Sequence, residues 1–157
     1  MTEHISRRRA LARVLAVLGA VVPLSVRARA QAKMRIDVFK DPSCGCCHEW
    51  VTYMTANGFD VRVTDGNMTP IKTKYGIPEK LQSCHTAIVG GLVIEGHVPA
   101  PDVRTFLARK PVGIVGLTIP GMPASAPGMD SKPFQPYTVL TFDRAGKTTV
   151  FAQHDRA

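Results

Sequence analysis

The sequence predicts an α/β protein with a βαβ-ββα core, followed by a C-terminal Pro/Gly/Met loop and an extra β-hairpin. Three observations carry this expectation. Strand-like and helix-like runs alternate between residues 34 and 110. Gly90-Gly91 sits between two apolar, β-branched runs, the pattern of a tight hairpin. After Pro111 the chain turns rich in glycine, proline and methionine, and strand-like residues return from Tyr137.

The elements follow in order. Met34-Arg-Ile-Asp-Val-Phe39 alternates, with Ile36 and Val38 on one face, as a half-buried strand does. Asp41-Pro42-Ser43 breaks it. Residues 47–57 predict a helix, with Trp50, Val51 and Met54 inward and Asn57-Gly58 as its stop. Residues 60–64 predict a second short strand. Because a helix joins the two strands, they are expected to be parallel with a right-handed crossover. Thr69 reads as an N-cap with Pro70 at the first helical position, opening a short helix over residues 71–75 that ends at Gly76 and Pro78. Residues 86–89 and 92–95 form the hairpin. Residues 102–110 predict a helix that points Val103, Phe106 and Leu107 inward and stops at Pro111. A βαβ unit followed by ββα is the thioredoxin-like arrangement, in which a cysteine motif lies between the first strand and its helix, as Cys44 to Cys47 do here. Residues 113–136 hold four glycines, five prolines and two methionines and predict an ordered but irregular loop. Residues 137–142 and 147–151, around Asp143-Arg-Ala-Gly146, predict the closing hairpin.

The charge is unevenly placed. The chain has 157 residues and a formal charge of +8, and residues 1–30, with six arginines and one glutamate, account for +5 of it. The remainder is only mildly basic, which argues against nucleic-acid binding. Arg7, Arg8, Arg9 and Arg13 precede an apolar run, and Ala28-Arg29-Ala30 follows as a small-x-small cleavage site. This is the layout of an export signal. The uninterrupted apolar run over residues 14–24 is 11 residues, too short to cross a bilayer of roughly 30 Å, so no stable membrane insertion is expected. Ser6-Arg7-Arg8-Arg9-Ala10-Leu11 also resembles a twin-arginine signal. The expected organisation is a cleavable signal over residues 1–30 and one metal-binding domain over residues 31–157, working in an oxidising compartment such as a bacterial periplasm.

Chemistry concentrates in Cys44-Gly45-Cys46-Cys47-His48, with Cys84-His85 following 37 residues after Cys47. In the expected fold the Cys84 loop faces the N-terminus of the first helix, which brings four thiols together. Adjacent Cys46 and Cys47 have Cα atoms about 3.8 Å apart, whereas disulfides prefer roughly 4.4–6.8 Å. Cys44 and Cys47 have the spacing for a disulfide. A helix N-terminus lowers thiol pKa from about 8.5 toward roughly 3.5–7.5, which favours thiolates, and thiolates both attack disulfides and bind soft metals. A structural zinc site would use Cys44/Cys47 with Cys84/His85 and leave Cys46 idle. Adjacent thiolates chelate one tetrahedral ion poorly but bridge different ions well, and soft bridging donors favour Cu(I). Redox thiols without metal are the rival reading. His85 takes the position before the strand where thioredoxins carry a cis-proline, and its ring can reach a metal. His48, beside the cysteines, and Met122 and Met129, in Gly-Met-Pro and Gly-Met-Asp contexts, are secondary ligand candidates. Met54 reads as core. His97 reads as loop surface, and His154 as a weaker candidate near the C-terminus.

Cys-Gly-Cys-Cys after a strand, Ser83-Cys84-His85-Thr86-Ala87, Gly96-His97-Val98-Pro99, Gly116-Leu-Thr-Ile-Pro-Gly-Met-Pro123 and Pro127-Gly-Met129 together resemble the CopG-like family. This is a periplasmic, copper-resistance-associated family long carried as a domain of unknown function. The similarity runs from about Met34 to His154. It implies a thioredoxin-like fold, a cysteine-based multinuclear copper site, and a part in copper handling with Cu(I)/Cu(II) or thiol redox chemistry. Carried over by position, the ligands are Cys44, Cys46, Cys47 and Cys84, with His85 next. The expected partners are copper ions and other periplasmic copper-handling proteins. The expectation is a metal-binding protein more than an enzyme, and the alternative is a thiol–disulfide oxidoreductase using Cys44/Cys47.

Overall fold

In the computed structural model, residues 33–109, 111–129 and 131–156 are described, and the proposed export signal lies outside them. The elements run β1 (Met34–Lys40), α1 (Gly45–Ala56), β2 (Phe59–Asp65), α2 (Thr69–Lys74), a 3₁₀ turn (Glu79–Leu81), β3 (His85–Val89), β4 (Leu92–Glu95), α3 (Ala100–Arg109), β5 (Ile114–Thr118), β6 (Tyr137–Asp143) and β7 (Thr148–His154). They build one seven-stranded sheet in the order β2-β1-β3-β4-β5-β6-β7. β1 and β2 are parallel, and β3 is antiparallel to both β1 and β4. This is the βαβ-ββα order that the sequence predicts.

Alternation sorts the side chains to the two faces. One face carries Ile36, Val38, Ala87, Val89, Ile94, Leu117 and Val139, covered by Trp50 and Met54 of α1 and Val103 and Phe106 of α3. Fully burying each such large side chain contributes about 1.5–3 kcal/mol. The opposite face carries Val93 and Phe142 under Ile77 and Leu81, which follow α2. The sheet is therefore a middle layer, and the first turn of α1 and the start of β3 meet at one of its ends.

Three expectations are corrected. The loop over residues 113–136 is not irregular throughout, because β5 occupies its start, pairing parallel to β4 and antiparallel to β6. The closing hairpin is thus continuous with the main sheet through β5. A Cβ at Gly116 would stand 2.1 Å from the Val93 carbonyl oxygen; this glycine is a close-approach position inside a buried strand, not a loop signal. Helix α1 starts at Gly45 rather than at residue 47, which places Cys44 at its N-cap and Cys46 and Cys47 in its first turn. Thr69 opens α2 instead of capping it: Met68 is the N-cap, and the Asn67 side-chain oxygen accepts the Thr69 N–H at 2.8 Å. Among the described residues, no helix is long and apolar enough to cross a membrane.

Candidate metal centre

The route from β1 into α1 is set by Asp41. Its carboxylate accepts the Ser43 N–H at 2.7 Å and the Ser43 hydroxyl at 2.5 Å, and its carbonyl accepts the Cys44 N–H at 3.1 Å. These Ser43 hydrogen bonds hold the Asp41 pKa below its ordinary value. The turn delivers Cys44, Cys46 and Cys47 to the N-terminal end of α1. Cys44 and Cys47 are joined by a disulfide with Cα atoms 5.3 Å apart, while Cys46 and Cys84 are free and half-buried. The sulfurs of Cys44 and Cys46 are 3.5 Å apart.

Cys84 arrives from the other side, on the segment between the 3₁₀ turn and β3. The four sulfurs of Cys44, Cys46, Cys47 and Cys84 all lie within 4.8 Å of one another. A second group, Cys84, His85 and His97, also lies within 4.8 Å. Cys84 belongs to both. Its sulfur is 3.4 Å from His85 Nδ1 and 3.1 Å from His97 Nε2.

His97 overturns its reading as loop surface, for it is 0% exposed. Its Nδ1 is 2.7 Å from the Pro127 carbonyl oxygen, which can only accept, so Nδ1 carries the proton. In the neutral ring the Nε2 lone pair then faces Cys84. A ring nitrogen donated to a backbone carbonyl while the other is aimed at a soft donor is the outer support found around metal-binding histidines. His85 is also fully buried, packed 4.4 Å from the Trp50 ring and 5.0 Å from the His97 ring. Burial, then His97 and Lys72, pushes its pKa well down, so it is a neutral ring. Its Nε2 is buried without a hydrogen-bond partner among the described residues. Such orphaned polar atoms are uncommon in folded proteins.

Cys84 departs from the expectation of preformed thiolates. Burial, with the nearby Cys46 adding to it, raises its pKa to about 11. At neutral pH it is a thiol, placed to donate to His97 Nε2.

The Pro/Gly/Met loop closes over these groups. Pro127 holds His97, and Gly128 lies directly on α1: a Cβ there would be 2.7 Å from Trp50 N and 3.1 Å from the Cys46 carbonyl oxygen, at a φ of +84°. At its other end Gly121 donates to the Gln82 carbonyl at 3.3 Å and accepts the Ser83 hydroxyl. Of the secondary candidates, His48 is exposed on the first turn of α1, Met122 is 57% exposed, and Met129 is half-buried. His154 sits elsewhere, 2.7 Å from Asp102 and stacked on Tyr137.

Two solved structures share this architecture. The chain matches copper resistance protein copG, form 1, with 36% identity and a TM-score of 0.73, over 79% of this chain and 99% of that one. Form 2 of the same protein matches with 38% identity and a TM-score of 0.71, over 78% and 98%. The chain belongs to the CopG-like family. Residues 81–129, from the 3₁₀ turn to Met129, also match the family described as a protein of unknown function, DUF411. No curated protein matches the chain. The family match covers Cys84, His85, His97 and the loop that closes over them, so the half of the site built by long-range contacts carries the family signature. His97 is the residue that the sequence reading undervalued. Its signal was its place in Gly96-His97-Val98-Pro99, one of the runs that carry the family resemblance.

Proposed function

We propose that this protein is an exported copper-handling protein that holds Cu(I) in a thiolate-bridged, multinuclear site and serves copper resistance in the periplasm. The ligands are Cys44, Cys46, Cys47 and Cys84, with His85 and His97. The observation that carries this reading is the pair of donor groups sharing Cys84: four sulfurs within 4.8 Å, and two histidines against the same thiol. Four sulfurs and two imidazole nitrogens form a soft donor set suited to Cu(I). Cys46 and Cys47 are chain neighbours, which suits bridging between ions better than chelation of one. The export layout of residues 1–30 supports the compartment, and the similarity to copper resistance protein copG supports the role.

The Cys44–Cys47 disulfide adds a redox dimension. Closed, it leaves Cys46, Cys84 and the histidines as donors. Reduction by a dithiol takes two electrons and two protons, breaks the S–S bond and yields two further thiols. Copper capacity would then follow the redox state of the chain. The same disulfide favours a second reading, a thiol–disulfide oxidoreductase. Against it, Ser43 precedes the motif where an aromatic is usual, and Cys46, 3.5 Å from Cys44, offers a competing thiol.

The test is an anaerobic Cu(I) titration of the reduced chain against a chromophoric chelator, with metal analysis and a Cys46→Ser variant. Two or more tightly held ions per chain, fewer in the variant, are expected. Failure to compete with the chelator, together with turnover in an insulin-reduction assay, would replace this reading with the oxidoreductase.

A further inference from the structure

Behind Cys84 lies a buried ion pair that no ligand role accounts for. Lys72 of α2 is 7% exposed and Glu95 of β4 is 0% exposed. The Lys72 ammonium donates to a Glu95 carboxylate oxygen, to the Ser83 carbonyl at 3.0 Å and to the Thr86 hydroxyl oxygen at 3.2 Å. The same carboxylate oxygen of Glu95 accepts the Ser83 N–H at 2.7 Å, and its other oxygen accepts the Thr86 hydroxyl at 2.6 Å. Thr86 and Glu95 are direct cross-strand partners. All three ammonium donors are used, and both carboxylate oxygens accept.

Burying a charge pair is costly, and an apolar pair of similar volume often serves stability as well or better. What an apolar pair cannot do is hold the peptide of Ser83. That residue precedes β3, so the sheet ladder does not capture its N–H and C=O. Both go to the ion pair instead, and its hydroxyl goes to Gly121. The residue before Cys84 is fixed at every polar atom, and the residue two beyond Cys84, Thr86, is fixed by the same pair.

We infer that Lys72 and Glu95 are positioning residues for Cys84, anchoring the Ser83 peptide so that the Cys84 sulfur stands between Cys46 and the two histidines. The inference rests on the copper reading of this site. Their side-chain hydrogen bonds run to each other, to the backbone of Ser83 and to the hydroxyl of Thr86.

The test is a cycle of full-chain variants. Lys72→Met/Glu95→Leu removes both charges together and is made with Cys84 intact and in a Cys84→Ser background. Cu(I) affinity and thermal midpoint are read for each. Loss of an outer support typically costs on the order of 10–100-fold in metal affinity. The expected result is about a tenfold loss or more with Cys84 present and no further loss once Cys84 is gone. Unchanged affinity with Cys84 present, or an equal loss in both backgrounds, would overturn the inference, the second outcome assigning the pair to general fold support. If the apolar pair does not fold, Thr86→Val takes its place in the cycle, with a smaller loss expected in the same pattern. If the unsubstituted chain takes up no Cu(I), the copper reading fails by itself. The positioning claim is then judged by alkylation of Cys84 in a Cys44→Ser/Cys46→Ser/Cys47→Ser chain. There the substitution must speed modification, and an unchanged rate would overturn it.

Discussion

The two halves of the candidate metal centre are built in opposite ways. The α1 half is local: Cys44, Cys46 and Cys47 lie within four residues, ordered by one turn around Asp41. The Cys84 half is assembled from distant pieces. Cys84 and His85 come from the start of β3, His97 from beyond β4, Pro127 from the closing loop, and Lys72 from α2 on the opposite face. The local half contributes sulfur and a disulfide. The assembled half contributes two buried imidazole rings and the thiol shared by both donor groups. Local spacing therefore suffices to propose a thiolate site, but its nitrogen donors and its closure depend on tertiary contacts.

The largest predicted effect comes from removing the point where the halves join. Cys84→Ser deletes the sulfur common to both donor groups and should weaken Cu(I) binding beyond the roughly 10–100-fold typical of outer-support changes. Chelator competition measures this. A loss no larger than that of Cys46→Ser would mean that the halves are equivalent.

Closing the loop is next. Gly128→Ala puts a Cβ into the backbone of α1 at a positive φ and should cost about 1–3 kcal/mol. It should lower the thermal midpoint and speed copper release, read by calorimetry and stopped-flow transfer to a chelator. His97→Gln should then cost about tenfold in affinity, and His48→Gln less than about twofold, because His48 lies exposed on α1. Equal effects at the two histidines would break the distinction between an assembled and a local half.

A pH dependence follows from the shared thiol. The folded Cys84 pKa, about 11, lies above its ordinary value of 9.0, with burial as the main cause and Cys46 as the second. Metal binding at neutral pH must displace that proton. Affinity through this ligand should rise about tenfold per pH unit, while His85, already neutral, adds no slope. For the metal-free chain with the Cys44–Cys47 disulfide closed, the sign is fixed by the same shift. The stabilisation is fully present below the ordinary pKa of 9.0 and is lost as pH rises through about 11, because the unfolded chain gives up the proton first. Chelator competition across neutral pH and melts above pH 8 check the two slopes.

The same contrast explains what was legible in the sequence. Ile36 and Val38, Trp50 and Met54, and Gly90-Gly91 carry local periodicity or turn chemistry, and the structure has the elements they predict. The four cysteines could be brought together because the βαβ-ββα order fixes where the start of β3 lies. β5 was hidden because a strand buried on both sides has no alternation, and Gly116, required by contact with Val93, looks like a loop residue. His97 was hidden because its neighbours, Cys84, His85 and the Pro127 carbonyl, are brought to it only by tertiary folding. Lys72 and Glu95 look like ordinary surface charges in sequence; only the Thr86–Glu95 register and the packing of α2 on the sheet bring them behind Cys84.

The most direct test of the central claim, that one copper site spans both halves, is copper X-ray absorption on the reduced, Cu(I)-loaded chain and its His97→Ala variant. The account predicts sulfur-dominated ligation with a nitrogen contribution that falls in the variant, and copper–copper scattering in both. Ligation by nitrogen and oxygen alone, or a spectrum unchanged by loss of His97, would contradict it.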